Sequence, residues 1–126
     1  MAIRHVVFVK FKADATRAQI DEFVTEVNRL PTINPEVRNW TAGFSPEPRF
    51  HSGDFDWGLS CDLDDWAAMD RYMWHPAHLR TAPYTGVVDS MISFDFFTEC
   101  DYATGRGVPA GTPPAAEPLP AAPPAG

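Results

Sequence analysis

Apolar and polar positions alternate from the start of the chain. In "IRHVVFVKFK", Ile3, His5, Val7, Val9 and Phe11 share one side, while Arg4, Val6, Phe8, Lys10 and Lys12 share the other. A period of two predicts a strand, and apolar residues on both sides predict cover on both faces. The period then lengthens. Ile20, Phe23, Val24, Val27 and Leu30 fall on one helical stripe. Thr16, with Gln19 three residues on, has the spacing of a capping box, and Pro31 is expected to stop the helix.

"VRNWTAGFS" and "DFDWGLSCDL" read as a second and third strand. Between them "PEPRFHSG" is too rich in Pro and Gly for a strand, and its His51 is expected at the surface. In the third strand Phe55, Trp57, Leu59, Cys61 and Leu63 alternate with Asp56, Gly58, Ser60 and Asp62. A second helix is expected to start from Asp64 or Asp65 as N-cap and to run to about Met73. Pro76 opens another helical piece, broken near Pro83 and continued through "YTGVVDSM". "ISFDFFTEC" closes the chain's ordered part as a strand with Ile92, Phe94 and Phe96 on one side; Trp57, Phe94 and Phe96 are expected as core first and pocket wall second.

The order β-α-β-β-α-β predicts an α+β, ferredoxin-like fold: four antiparallel strands with helices on one face. Val6 and Phe8 would then lie on the helix-free face. An apolar sheet face needs cover, and a second copy of the chain is the simplest, so a homodimer is expected.

Composition adds a boundary. The 126 residues, with 9 Phe and 4 Trp, suffice for one domain with a core, placed at residues 1–100. Residues 101–126 differ in kind: they hold seven of the 13 prolines and little that a core could use. Such a segment cannot offset its ordering entropy, and it reads as a Pro/Ala-rich disordered tail. Net charge is −7, of which the tail contributes one negative charge and the body −6. The Lys and Arg residues are scattered, which argues against nucleic acid and anionic membranes as partners. The opening strand leaves no charged-then-apolar leader, and no apolar run is long enough to span a membrane. Cys61 and Cys100 have neither metal-like nor redox-like spacing, so reduced thiols and a cytoplasmic setting are expected.

The chemistry concentrates in "DRYMWHPAHLR", which holds Tyr72, His75 and His78. Pro76 favours the first turn of a helix, which puts His75 at the N-cap and His78 in the first turn. There the positive end of the helix dipole opposes a second positive charge and lowers the His78 pKa, leaving a neutral imidazole able to act as a base. On one straight helix Tyr72 and His78 would point about 120° apart, so the break at Pro76 is what lets them converge. His5 is either a satisfied core histidine or a pocket residue. His5, His75 and His78 together offer three nitrogens, but H-x-x-H without a neighbouring carboxylate is a weak metal signal.

"IRHVVFVKFK", "YMWHPAH" and "SFDF", in that order over residues 2–98, resemble the stress-responsive A/B barrel domain, or Dabb, family of dimeric α+β barrels. The Tyr and HPxH element resembles most a plant polyketide cyclase of that family. The resemblance implies intramolecular aldol closure of a poly-β-keto chain with neither metal nor organic cofactor. It implies His78 as catalytic base and Tyr72 as its partner. His5, His75, Trp57, Val7 and Leu59 would line the substrate, Trp57 standing where the plant cyclase has a further histidine. Whether the substrate arrives free or on a carrier protein stays open. Related barrels include cofactor-free oxygenases and isomerases, and stress proteins without chemistry, so those readings stay open as well.

Overall fold

The computed structural model describes residues 1–47, 53–101 and 106–107. His51 and most of the proline-rich tail lie outside the described residues.

The first strand, β1 (Ile3–Phe11), holds the alternation that its sequence predicts: Ile3, His5, Val7, Val9 and Phe11 are all buried. Helix α1 (Arg17–Asn28) starts from Thr16, whose side chain accepts the Gln19 N–H while the Gln19 side chain accepts the Thr16 N–H. The reciprocal bonds satisfy two donors that a helix start otherwise leaves unpaired. The helix ends before Pro31 is reached. Pro31 instead lies in the first turn of a separate helical turn, α2 (Leu30–Ile33), where the missing N–H costs nothing.

Strand β2 (Arg38–Phe44) has a register shift between Arg38 and Thr41, with Asn39 in the left-handed region at φ 54°. Asparagine tolerates that conformation, and here its Nδ2 donates to Asp62 at 2.8 Å. Strand β3 (Trp57–Leu63) begins three residues later than its pattern suggests. Just before it, the Asp56 side chain accepts the Phe11 N–H, while its backbone donates to Val9 and accepts from Ser45. Asp65, not Asp64, caps α3 (Trp66–Trp74), accepting the Ala68 N–H at 2.8 Å. Helix α4 (Pro76–Leu79) follows, then a 3₁₀ turn (Ala82–Val87).

The closing strand β4 (Val88–Phe97) starts earlier than predicted. "VDSM" is strand rather than helix: β1 offers a row of backbone partners, and pairing with it outweighs the local signal. The sheet runs β2-β3-β1-β4, all neighbours antiparallel, which is the ferredoxin-like order. A two-residue ladder pairs β5 (Cys100–Asp101) with β6 (Arg106–Gly107), carrying backbone pairing past the expected domain end at residue 100. Such a ladder rests on main-chain bonds and needs no apolar side chain.

The helices cover the face of His5, Val7 and Val9. Aromatic edges fill the space beneath α1: Phe11 meets Phe23 at 5.6 Å, and Phe23 meets Trp57 at 5.9 Å. Each large apolar side chain buried this way contributes roughly 1.5–3 kcal/mol. The other face is open in the single chain. Register sets Phe94 opposite Val6 and Ile92 opposite Phe8, so Ile92, Phe94 and Phe96 point away from the helices. Phe94 is 67% exposed and Phe8 42%. This corrects the expectation that Phe94 and Phe96 belong to the core. The parity of β4 is opposite to the one its phenylalanines suggest.

Candidate active site

That parity decides what faces the helices. With the phenylalanines outward, Asp95 lies inward, directly across from His5. The two side chains meet, His5 Nδ1 to Asp95 Oδ1, at 2.5 Å. His5 is buried on the central strand, and the carboxylate fixes which ring nitrogen faces β4. Asp95 was invisible as a site residue in sequence, because an acidic residue among phenylalanines reads as the outward member of an alternating strand. The signal was present in inverted form: "SFDF" is equally consistent with an outward aromatic row and an inward carboxylate.

Tyr72 comes from the last turn of α3 and is 2% exposed. Its ring stands edge-on to two imidazoles, His78 at 4.8 Å and His5 at 6.1 Å between centroids. The chain break makes this possible. His75 has extended backbone between α3 and α4, and it re-aims the next turn so that His78 folds back over Tyr72. The expectation that Tyr72 and His78 converge across Pro76 therefore describes the geometry.

The electrostatics separate the two roles. Burial holds the His78 pKa below the ordinary imidazole value, the charge of His5 lowers it further, and a hydrogen bond to the Met73 backbone opposes both. The direction agrees with the sequence argument but the cause does not. Helix α4 has only four residues, so its dipole is a minor influence beside desolvation. Burial pushes the Tyr72 phenol well above its usual range, so it stays protonated and remains a donor. Cys61, across the ladder from His5, is also buried, and desolvation with Asp62 and Asp95 pushes its thiol up to about 12. It is a thiol, not a thiolate nucleophile.

His75 has a structural task. Its Nδ1 accepts the Ala77 N–H at 3.0 Å, as N-cap of α4. Val7 and Leu59 face each other in register, two positions from His5, as apolar sheet floor beside it. Trp57 lies elsewhere. It pairs with Val9, about 13 Å along the sheet from His5 at strand rise, and packs on Phe23 in the core under α1. Its packing is that of a core residue. Among the described residues no three His, Cys, Asp or Glu side chains are grouped to hold a metal ion. Open concavities lie away from the imidazoles, among them one of about 680 Å³ lined by Lys10, Arg17, Phe44 and Asp56. One of about 490 Å³ is lined by Phe8, Phe55, Gly58 and Ile92, and one of about 480 Å³ by Lys12, Glu22, Tyr84 and Val87.

A four-stranded antiparallel sheet of this order, carrying a buried phenol between a buried and a half-buried imidazole, defines an α+β protein of ferredoxin-like fold with acid–base groups beneath its helices. A family model for the stress responsive A/B barrel domain, Dabb, matches residues 3–98, and the chain belongs to that family. No curated protein sequence matches it. Among solved structures it is similar to the hydroxynitrile lyase of Passiflora edulis, at 20% identity and a TM-score of 0.69, over 75% of this chain and 91% of that one. A dimeric ferredoxin-like protein of unknown function from Thermobifida fusca is 24% identical with a TM-score of 0.67, over 76% and 90%. A Dabb family protein from Mesorhizobium loti is 22% identical with a TM-score of 0.63, over 75% and 94%.

No helix among the described residues is long and apolar enough to cross a membrane.

Proposed function

We propose that the chain is a cofactor-independent cyclase that closes a ring in a polyketide-like, enolisable small molecule by intramolecular aldol addition. The observation that carries the reading is the Tyr72 phenol held between two imidazoles, one of them kept neutral by burial. Neutral His78 takes a proton from a methylene flanked by carbonyls. The resulting enolate carbon bonds to a second carbonyl carbon of the same molecule. Tyr72 donates a hydrogen bond to the oxygen on which charge develops, and the proton held by His78 returns to that oxygen. The sequence of transfers is neutral overall and leaves the protein unchanged. His5, oriented by Asp95, holds a further oxygen or relays a proton, while Val7 and Leu59 offer apolar contact. The similarity in fold to a protein named as a hydroxynitrile lyase supports an enzymatic reading.

The same proposal includes a second copy of the chain on the open sheet face. Phe8, Ile92, Phe94 and Phe96 are all exposed there, and the similar Thermobifida fusca protein is described as dimeric.

The test is a metabolite profile of the producing strain after gene deletion, with complementation by wild type and by His78→Ala at matched protein levels. The expected result is a cyclised product with wild type and a spontaneous shunt product with the variant. Equal restoration by both would make "YMWHPAH" structural and overturn the catalytic reading.

A further inference from the structure

Helix α3 buries Ala68, Met69 and Tyr72 against the sheet, but its outer side is apolar as well. Trp74 is 75% exposed, Trp66 53% and Met73 39%. With Asp70 between them, they fall within about 100° of one another around the helix axis and form one stripe. Two indoles left in water on a single nine-residue helix are a larger apolar surface than solubility favours. The stripe lies apart from the face already given to a second copy, because α3 packs on the other side of the sheet.

The chain itself supplies a segment that starts beside this stripe. The Trp66 ring meets the Phe97 ring at 6.4 Å, at the end of β4. Strand β6 touches β4, and its Gly107 pairs with Cys100, three residues past Phe97. The 19 residues that follow Gly107 hold seven prolines and one charged side chain, Glu117. Extended as polyproline II, at about 3.1 Å per residue, they would span roughly 59 Å, several times the length of α3. The spacing fits too. Trp66 and Trp74 are eight residues apart, about 12 Å along the helix axis. Four residues of polyproline II cover about 12 Å, which is the interval from Pro114 to Pro118 and from Pro120 to Pro124.

We propose that the proline-rich tail, residues 108–126, docks along α3 of its own chain, with prolines stacked on Trp66 and Trp74. Polyproline II loses little entropy on docking because it is extended beforehand, and aromatic surfaces are what it docks on. Such a segment has no core of its own to join, yet each proline–indole contact takes apolar surface of both sides out of water. The tether holds the tail beside α3 at millimolar effective concentration, so a contact too weak to form between free chains is populated within one.

The test uses full-length chains labelled with 5-fluorotryptophan, with a soluble gadolinium chelate as the probe of ring exposure. The chain has four tryptophans, so four fluorine signals are expected. Trp57 is buried and Trp40 donates to Asn28, and both serve as internal references. The comparison is with a full-length variant whose seven tail prolines are replaced by serine. Relaxation of Trp66 and Trp74 by the chelate is expected to rise about twofold in that variant, as for a site at least half occupied, while Trp40 and Trp57 stay unchanged. In the reverse direction, Trp74→Ala is expected to move the amide signals of Glu117 and Leu119, and the exposure of Trp74 leaves the fold intact. If Trp66 and Trp74 relax alike with both tails, or if the Leu119 amide ignores Trp74→Ala, the proposal is overturned and the stripe is left to a partner outside the chain. If unlabelled wild type, mixed with labelled serine-tail chains, protects their Trp74, the contact runs between copies and the proposal is overturned as well.

Discussion

His78 and Tyr72 are in ring contact, half-buried and buried, and are tuned in opposite senses by the same cause. Desolvation disfavours charge, so it keeps the imidazole deprotonated and the phenol protonated. One is thereby a base and the other a donor, and the charge of His5 adds to the effect of burial at His78. Removing the base by His78→Ala is expected to lower kcat/KM by about 10²- to 10⁴-fold, read by product formation at saturating and limiting substrate. The acidic limb of the kcat/KM profile should fall below pH 6.5, since the catalytic form is the neutral one and its pKa lies below that value. Stability follows the same sign. The unfolded chain binds the proton more readily than the folded one. Stability is therefore full above pH 6.5 and declines as pH falls through the folded pKa of His78. His78→Gln should flatten that part of the curve of Tm against pH.

At the scale of elements, short segments govern more than long ones. Helix α4 is a single turn, yet its cap at His75 sets the direction in which His78 points. A capping residue and a substrate contact make different predictions. Serine caps well, so His75→Ser should keep both Tm and activity, while His75→Ala should cost about 1 kcal/mol and several degrees of Tm. If His75→Ser folds normally but loses turnover, the imidazole itself touches substrate. The capping box at Thr16 is a control far from the chemistry. Thr16→Ala should cost about 1 kcal/mol in denaturant melts and leave kcat unchanged. Strand β4 shows how an element's parity carries function. One residue of slip along β1 would turn Asp95 outward and bury Phe94 and Phe96 against the helices.

For the whole molecule, the open sheet face is the main unfinished surface of the single chain. Four large apolar side chains there, Phe8, Ile92, Phe94 and Phe96, lie on adjacent strands, and Phe94 and Phe96 stack within 6.0 Å of each other. A carboxylate in that row would have to be desolvated on association. Phe94→Glu is expected to give a folded monomer by sedimentation velocity where wild type gives a dimer, with the far-ultraviolet spectrum kept. A variant that stays dimeric would place the contact on another face.

Much of this was written in local order. The alternation of residues 3–11, the Thr16 and Asp65 caps, the stripe on α1 and the proline-opened turn at His75 all depend on neighbours within a few positions. The sequence alone therefore determined the ferredoxin-like order and the pairing of Tyr72 with His78 across a chain break, and resemblance pointed to their roles. Interactions between distant segments lay beyond it. "VDSM" became strand because β1 had an unpaired edge, Trp57 joined the Phe23 core because its register placed it opposite Val9, and Asp95 met His5 ninety positions away. Periodicity states that a strand has two faces. Which face meets the helices is set by the register of the assembled sheet, and that register decides where the polar groups of the site converge.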